Sequence, residues 1–482
     1  MSGSEYVKPD IKTNFSRGPT IIYFLLVIVL YFFGLISCYL VITEPENQAT
    51  FDNLTNGIKD LIGVSLPFLP FFLGFIILFL LISLVLGYFV VWLMSKIAME
   101  VTMITIIVFP FFFIVIGLFI GYASLSQSNY DGMVVGFLPM AFGLLLYILV
   151  IWKWKSFKRA GQFVEFSAQL TLDEKAVLWA PILMGLFNIV TGLFIIFGMW
   201  EINSLFVTTN NSESQLSPIG AIISFVFAYI YLIIYLGVSY SLNALVISYA
   251  TDWYRGLDPD IKSATKDVKQ VFPIIVKFSV AMASIKIIAQ VLANGTRNTT
   301  TSNRGNAGSM VAFLILSSLA WFVFSIIGAI WMFLNYFTLI SIVQNKKGLG
   351  ESIKDSAKTT WNSFLDVVAG ESGYGLTMFV FFFINIIIWA VAGFALGYLM
   401  FPDSVIIWIV FAVVLIILSS VFYNMVTFPM KVAFRTFLYS YAKDYLDGFK
   451  KPSKLPIELR DEFKSLAQEH DKRRMRDPTQ YL

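Results

Sequence analysis

Lys286 stands inside an otherwise apolar run, FPIIVKFSVAMASIKIIAQVLAN over 272–294. A cation in bilayer hydrocarbon costs about 2.5–3.5 kcal/mol on insertion scales, so it marks a partner, a cavity or a route to the headgroups. Ser279, Ala283, Lys286 and Gln290 follow at steps of 4, 3 and 4, which places them on one helical face. Two readings fit that face. It lines an aqueous cavity, or Lys286, two turns from the outer end of the run, snorkels its ammonium to the outer headgroups.

Two neighbouring runs carry stripes of the same kind. Tyr231, Tyr235, Ser239 and Asn243 recur at four-residue steps within 218–246. Ser318, Trp321, Ser325, Gly328, Met332 and Asn335 recur within 309–343 at alternating steps of 3 and 4. Aromatic faces attract quaternary ammonium groups through the ring quadrupole, and hydroxyl and amide groups supply neutral contacts. The candidate solute-path residues are therefore Tyr231, Tyr235, Ser239, Asn243, Ser279, Lys286, Gln290, Trp321, Ser325 and Asn335. Small and hydroxyl residues also mediate ordinary helix packing in membranes, so packing stands beside cavity lining as an explanation.

The elements that must position these residues are membrane helices. The chain has 482 residues, of which 58% are hydrophobic and only 13% charged, against about 25% charged in soluble domains. Apolar runs long enough to cross a bilayer recur throughout. They predict an all-α polytopic membrane protein with ten spans: 20–42, 67–95, 102–124, 133–152, 178–200, 218–246, 272–294, 309–343, 375–400 and 404–430. Residues 1–19 are then a cytoplasmic N-terminal segment, 20–430 the membrane domain and 431–482 a cytoplasmic tail.

Charge supports that orientation. Of 34 Lys and Arg, only Lys59, Arg297 and Arg304 fall in proposed outer loops, and only Lys277 and Lys286 within a span. Asn53, Asn210 and Asn298 begin N-x-[ST] triplets at proposed outer positions and are glycosylation candidates. If used, they imply a plasma-membrane or endomembrane address; a mitochondrial membrane stays open. Inner segments 153–177, 257–271 and 350–368 mix basic and apolar residues, as helices lying at the inner headgroups do. The tail is charged with both signs, which predicts a solvated segment.

Several chemistries are disfavoured. The lone Cys38 permits no disulfide within the chain, and the lone His470 lies in the tail, which excludes a histidine-built metal site in the membrane. There is no P-loop, H-E-x-x-H or G-x-S-x-G, so the reading is of a non-enzyme without cofactor or metal. The expected partners are the lipid bilayer and a small organic solute, and no nucleic acid. Deep Asp or Glu residues, which ion-coupled carriers often use, are missing from the spans; this favours facilitated transport.

Five stretches resemble the choline transporter-like protein family, in order along the chain. They are Arg17-Gly18-Pro19-Thr20 with the span that follows, KSFKRAGQFVEFSAQL after the fourth span, ALVISYATDWY closing the sixth, Asn335-Tyr336 in the eighth, and FRTFLYSYAKDYLDG after the tenth. The resemblance implies ten spans with both termini inside, and choline or a related amine as substrate. The sequence departs from animal members in its first outer loop, 43–66, which is short and lacks cysteine. Two other functions fit the residues: a non-catalytic membrane subunit or scaffold of a larger complex, and a transporter of an anionic or lipid substrate, in which Lys286 would act directly.

Overall fold

The computed structural model describes residues 15–43, 69–126, 130–210, 213–302, 331, 335–402 and 404–446. In chain order these form α1 (Gly18–Thr43), α2 (Leu69–Ser126), α3 (Tyr130–Trp152), α4 (Trp154–Asp173), a 3-10 turn, α5 (Trp179–Phe206), the antiparallel hairpin β1 (Val207–Asn210) and β2 (Glu213–Leu216), α6 (Pro218–Tyr254), α7 (Ile261–Ser302), α8 (Thr338–Asn345), α9 (Leu349–Asn362), α10 (Phe364–Met400) and α11 (Val405–Leu446). Eight of the helices, α1, α2, α3, α5, α6, α7, α10 and α11, are long and apolar enough to cross a bilayer. The chain is an integral, multi-pass membrane protein, all-α apart from the short hairpin. Their outward faces are lined with exposed large apolar side chains such as Ile28, Phe32, Ile148, Ile189, Val413 and Ile417, as lipid-facing surfaces require.

Eight helices replace the ten expected spans for two reasons. The run 309–330, most of the eighth span, lies outside the described residues. The second and third spans are one continuous helix: α2 has 58 residues and passes unbroken through Ser95–Glu100, where an inner loop was expected. No glycine or proline occurs between Gly87 and Pro110, and Lys, Met, Ala and Glu there all favour helix. At 1.5 Å per residue α2 is about 87 Å long. Its C-terminal half forms a close pair with α3. A Cβ at Gly136 would lie 2.6 Å from the backbone nitrogen of Gly121, so that approach needs glycine.

The expected inner helices take three different forms. The first is a separate helix, α4, but it is packed rather than merely laid on a surface. It buries Ala160, Gly161, Phe163, Val164, Ser167 and Ala168 against α2, α10 and α11. The second is not separate: residues 261–271 are the first turns of α7, which continues through Pro273 into the span. The third is α9, followed after one turn residue by α10. Likewise α11 does not end at 430. It runs to Leu446 with Phe434, Phe437, Tyr439 and Asp444 buried, so the first part of the expected solvated tail belongs to the packed body.

Charged and polar side chains from α6, α7, α8, α9, α10 and α11 meet at one end of the bundle, called here the basic end. Of the eight long apolar helices, α7 is the most enclosed, with 44% of its most apolar window buried against 17–28% for the others.

Candidate functional site

α6 carries the expected tyrosine stripe and is positioned by its two ends. It starts cleanly because Ser217 caps it, its hydroxyl accepting from the Gly220 amide at 3.1 Å, and Pro218 occupies the first turn. It stops because Gly256 adopts φ 81°. The Gly256 amide then donates to Trp253 and the Leu257 amide to Asp252, which closes the helix with a Schellman motif.

In the middle of α6 the Tyr231 and Tyr235 rings lie 5.9 Å apart, both half-buried. Tyr240, one turn further, sits 4.9 Å from Phe278 of α7. Ser239 and Asn243 are also half-buried on α6. The Asn243 Oδ1 is buried and accepts no hydrogen bond from the described residues. Cross-links hold α6 in place: the Tyr229 and Ser284 hydroxyls are 2.8 Å apart across α6 and α7, and Tyr23 of α1 donates to the Ile234 carbonyl at 2.8 Å. A Cβ at Gly237 would lie 2.4 Å from the Tyr23 ring, so glycine there admits the tyrosine.

The α7 stripe divides. Ser279 and Ala283 are fully buried, and Ser279 spends its proton on the Ile275 carbonyl of its own helix. Lys286 is exposed. Gln290 lies on α7, its side chain outside the described residues, as do Trp321 and Ser325 entirely. Asn335 has a conformational role. Its Nδ2 donates to the Trp331 carbonyl at 3.0 Å and its Oδ1 accepts from Thr338 at 3.1 Å, across the turn 335–337 that separates α8 from what precedes it. Among the glycosylation candidates, Asn210 lies in β1 and Asn298 in the last turns of α7; Asn53 is outside the described residues.

Below the tyrosines, the same helix enters a dense ionic network that the sequence reading did not assemble. Arg255, placed by the C-terminal cap of α6, grips Asp444 of α11 in a two-pronged pair, with Nη1 to Oδ2 at 2.6 Å and Nη2 to Oδ1 at 2.8 Å. Tyr254 donates to the same carboxylate at 3.1 Å. The short helix α8 is the hub. Its Gln344 donates to Thr251 of α6 and Ser440 of α11, each at 2.9 Å. Asn345 donates to Asp355 of α9 at 3.2 Å and to the Tyr439 hydroxyl at 2.8 Å. Lys346, held at φ 49°, pairs with Asp267 of α7 at 3.0 Å and donates to Gln270 at 2.6 Å. On the flank, Arg435 pairs with Glu371 at 2.7 Å, and Tyr336 donates to the same carboxylate.

Two carboxylates outside the spans are tuned by this packing. Burial pushes Asp355 up, but hydrogen bonds from Lys443, Tyr439 and Ser341 outweigh it and hold it below the ordinary carboxylate value. Burial raises Glu165 of α4 and the nearby Glu100 charge adds to this, while the Met99 amide, donating at 3.0 Å, offsets part of the rise.

The partners in this network lie far apart in sequence; Arg255 and Asp444 are separated by 189 residues. The available signal was the residue mix of the inner segments, which held Asp and Glu as well as Lys and Arg. Among the described residues no cluster of His, Cys, Asp or Glu has the form of a metal site. Compared with protein-family models and with curated proteins, the chain matches none.

Proposed function

We propose that the chain is a transporter of a small organic cation, choline or a related quaternary amine, and not an enzyme. The solute would pass along the tyrosine face of α6, with the ionic network beneath it as the inner gate. The observation that carries this reading is the coincidence on one helix of the half-buried Tyr231 and Tyr235 rings and the buried Asn243 carbonyl oxygen, which accepts no hydrogen bond from the described residues. Ring faces stabilise a quaternary ammonium, and a neutral carbonyl dipole assists without a fixed charge that would trap it. The exposure of Lys286 supports the same reading, because it keeps a repelling cation off this face. The sequence resemblance to choline transporter-like proteins points to the same solute class.

Uptake of radiolabelled choline into proteoliposomes tests it. Tyr235→Ala and Asn243→Ala are expected to lower uptake at least tenfold, at unchanged folded yield, and Lys286→Ala to leave it near wild type. Absence of uptake for every quaternary amine, with a stable co-purifying protein, sinks the proposal in favour of a scaffold subunit. Loss of an anionic-solute flux on Lys286→Ala would instead support an anion or lipid carrier.

A further inference from the structure

A cavity of about 620 Å³ opens at the basic end between the start of α1 and the first turns of α7. Its polar wall is cationic. Arg17 enters from the residue before α1, and Lys262, Lys266 and Lys269 line it from one face of α7, at steps of 4 and 3. Among the described residues no Asp or Glu contributes to the wall. Of the described acids on α7 and just before it, Asp260 accepts from the Ser263 amide at 3.3 Å at the start of the helix, and Asp267 is buried on Lys346 and Ser248. Clefts lined by cations focus a positive field that draws anions in, and Arg17, Lys262 and Lys269 supply that field here.

The cavity also has an apolar side, formed by Phe15, Ile261 and Pro273. It lies at the membrane boundary, because α1 begins directly after Arg17 and the apolar part of α7 begins at Phe272. Ile21, Ile22 and Leu25, in the first turns of α1, are exposed. An anion bound among the cations would thus have an exposed apolar surface beside it, suited to acyl chains.

We propose that this cavity binds the headgroup of an anionic phospholipid bearing phosphate monoesters, with Arg17, Lys262 and Lys269 as the phosphate contacts. A phosphate monoester carries close to two negative charges and several acceptor oxygens, which several converging cations match better than the single charge of a phosphodiester lipid. The site is separate from the tyrosine face and does not depend on what that face carries. It does connect to the ionic hub: Gln270 of the cavity wall accepts from Lys346.

The test is native mass spectrometry of the full chain released from nanodiscs of phosphatidylcholine containing either a bisphosphorylated inositol lipid or phosphatidylserine. Wild type is expected to retain one inositol lipid at least tenfold more strongly than phosphatidylserine. The triple variant Arg17→Ala/Lys262→Ala/Lys269→Ala, all exposed positions, is expected to lose that retention at least tenfold. Lys347→Ala/Lys354→Ala/Lys358→Ala removes the same charge elsewhere at the basic end and is expected to leave retention unchanged. Equal retention of the two lipids, or equal loss in both triple variants, overturns the proposal in favour of diffuse charge attraction. Thermal stabilisation by inorganic phosphate as large as that by the lipid overturns it in favour of a free-anion site.

Discussion

α6 and α11 each have two unlike halves. In the first half of α6, Ile219, Ile222, Phe225 and Val226 are exposed and only scattered positions are buried. From Ala244 to Arg255 nearly every position is buried, including Ser248, Asp252 and Arg255. α11 repeats the contrast: Val405, Ile406, Val413 and Ile417 are exposed, whereas Phe434, Thr436, Phe437, Tyr439, Ser440 and Asp444 are buried. The apolar halves face outward and the polar halves are enclosed. In lipid, apolar surface gains little by being covered, so those halves need only local close packing. Where the helices leave hydrocarbon, burial is driven by water, and the polar groups it encloses must find one another.

The largest expected effect lies in the enclosed halves. Asp444→Ala leaves the buried Arg255 guanidinium without its carboxylate, which costs about 3–5 kcal/mol, so thermal unfolding in detergent is expected to shift sharply downward with loss of monodisperse protein. Arg255→Met/Asp444→Leu is expected to recover most of that loss, because apolar replacement of a whole buried pair is often nearly neutral. A double variant as unstable as the single would break the view that pairing, rather than mere size, organises this end.

Next comes a place where two apolar helices pack tightly, the approach of α3 to α2 at Gly136. Gly136→Ala forces α2 and α3 apart, and overpacking of this kind costs about 1–3 kcal/mol; hydrogen exchange is expected to rise in both helices and leave the basic end unchanged. A smaller effect depends on pH. Asp355 has a depressed folded value, so its stabilisation is present above the ordinary carboxylate value near about 4 and is lost as pH falls through the lower folded one. Asp355→Asn is expected to flatten that part of the stability–pH curve. Smallest of all, Ile417→Ala on the outward face of α11 is expected to change stability by less than about 0.5 kcal/mol, and a larger loss would show that this face is covered by protein.

The contrast also explains what could be read from sequence. Apolar runs marked α1, α3, α5, α6, α7, α10 and α11 directly, because hydrocarbon imposes length and composition on any helix that crosses it. The union of two runs into α2 was hidden, since charge at Lys96 and Glu100 resembles a loop while the same residues favour helix. Tyr231, Tyr235, Ser239 and Asn243 were legible as a stripe because helical periodicity is local. Lys286 was conspicuous yet lies exposed, and the buried charges that do pair, such as Arg255 with Asp444 and Lys346 with Asp267, sit in segments that look like ordinary solvated loops. Pairing across such separations leaves no periodic trace.

Lys346 has a consequence for mutational tolerance. Its left-handed backbone suits glycine or asparagine, whereas its position between Asp267 and Gln270 demands an ammonium. No natural amino acid satisfies both demands. Lys346→Gly would relax the chain but take the ammonium from the buried Asp267 carboxylate, and Lys346→Arg would keep the charge on a larger head in the same awkward turn. A complete substitution scan should therefore find a narrow peak at this position, with even close relatives of lysine falling away.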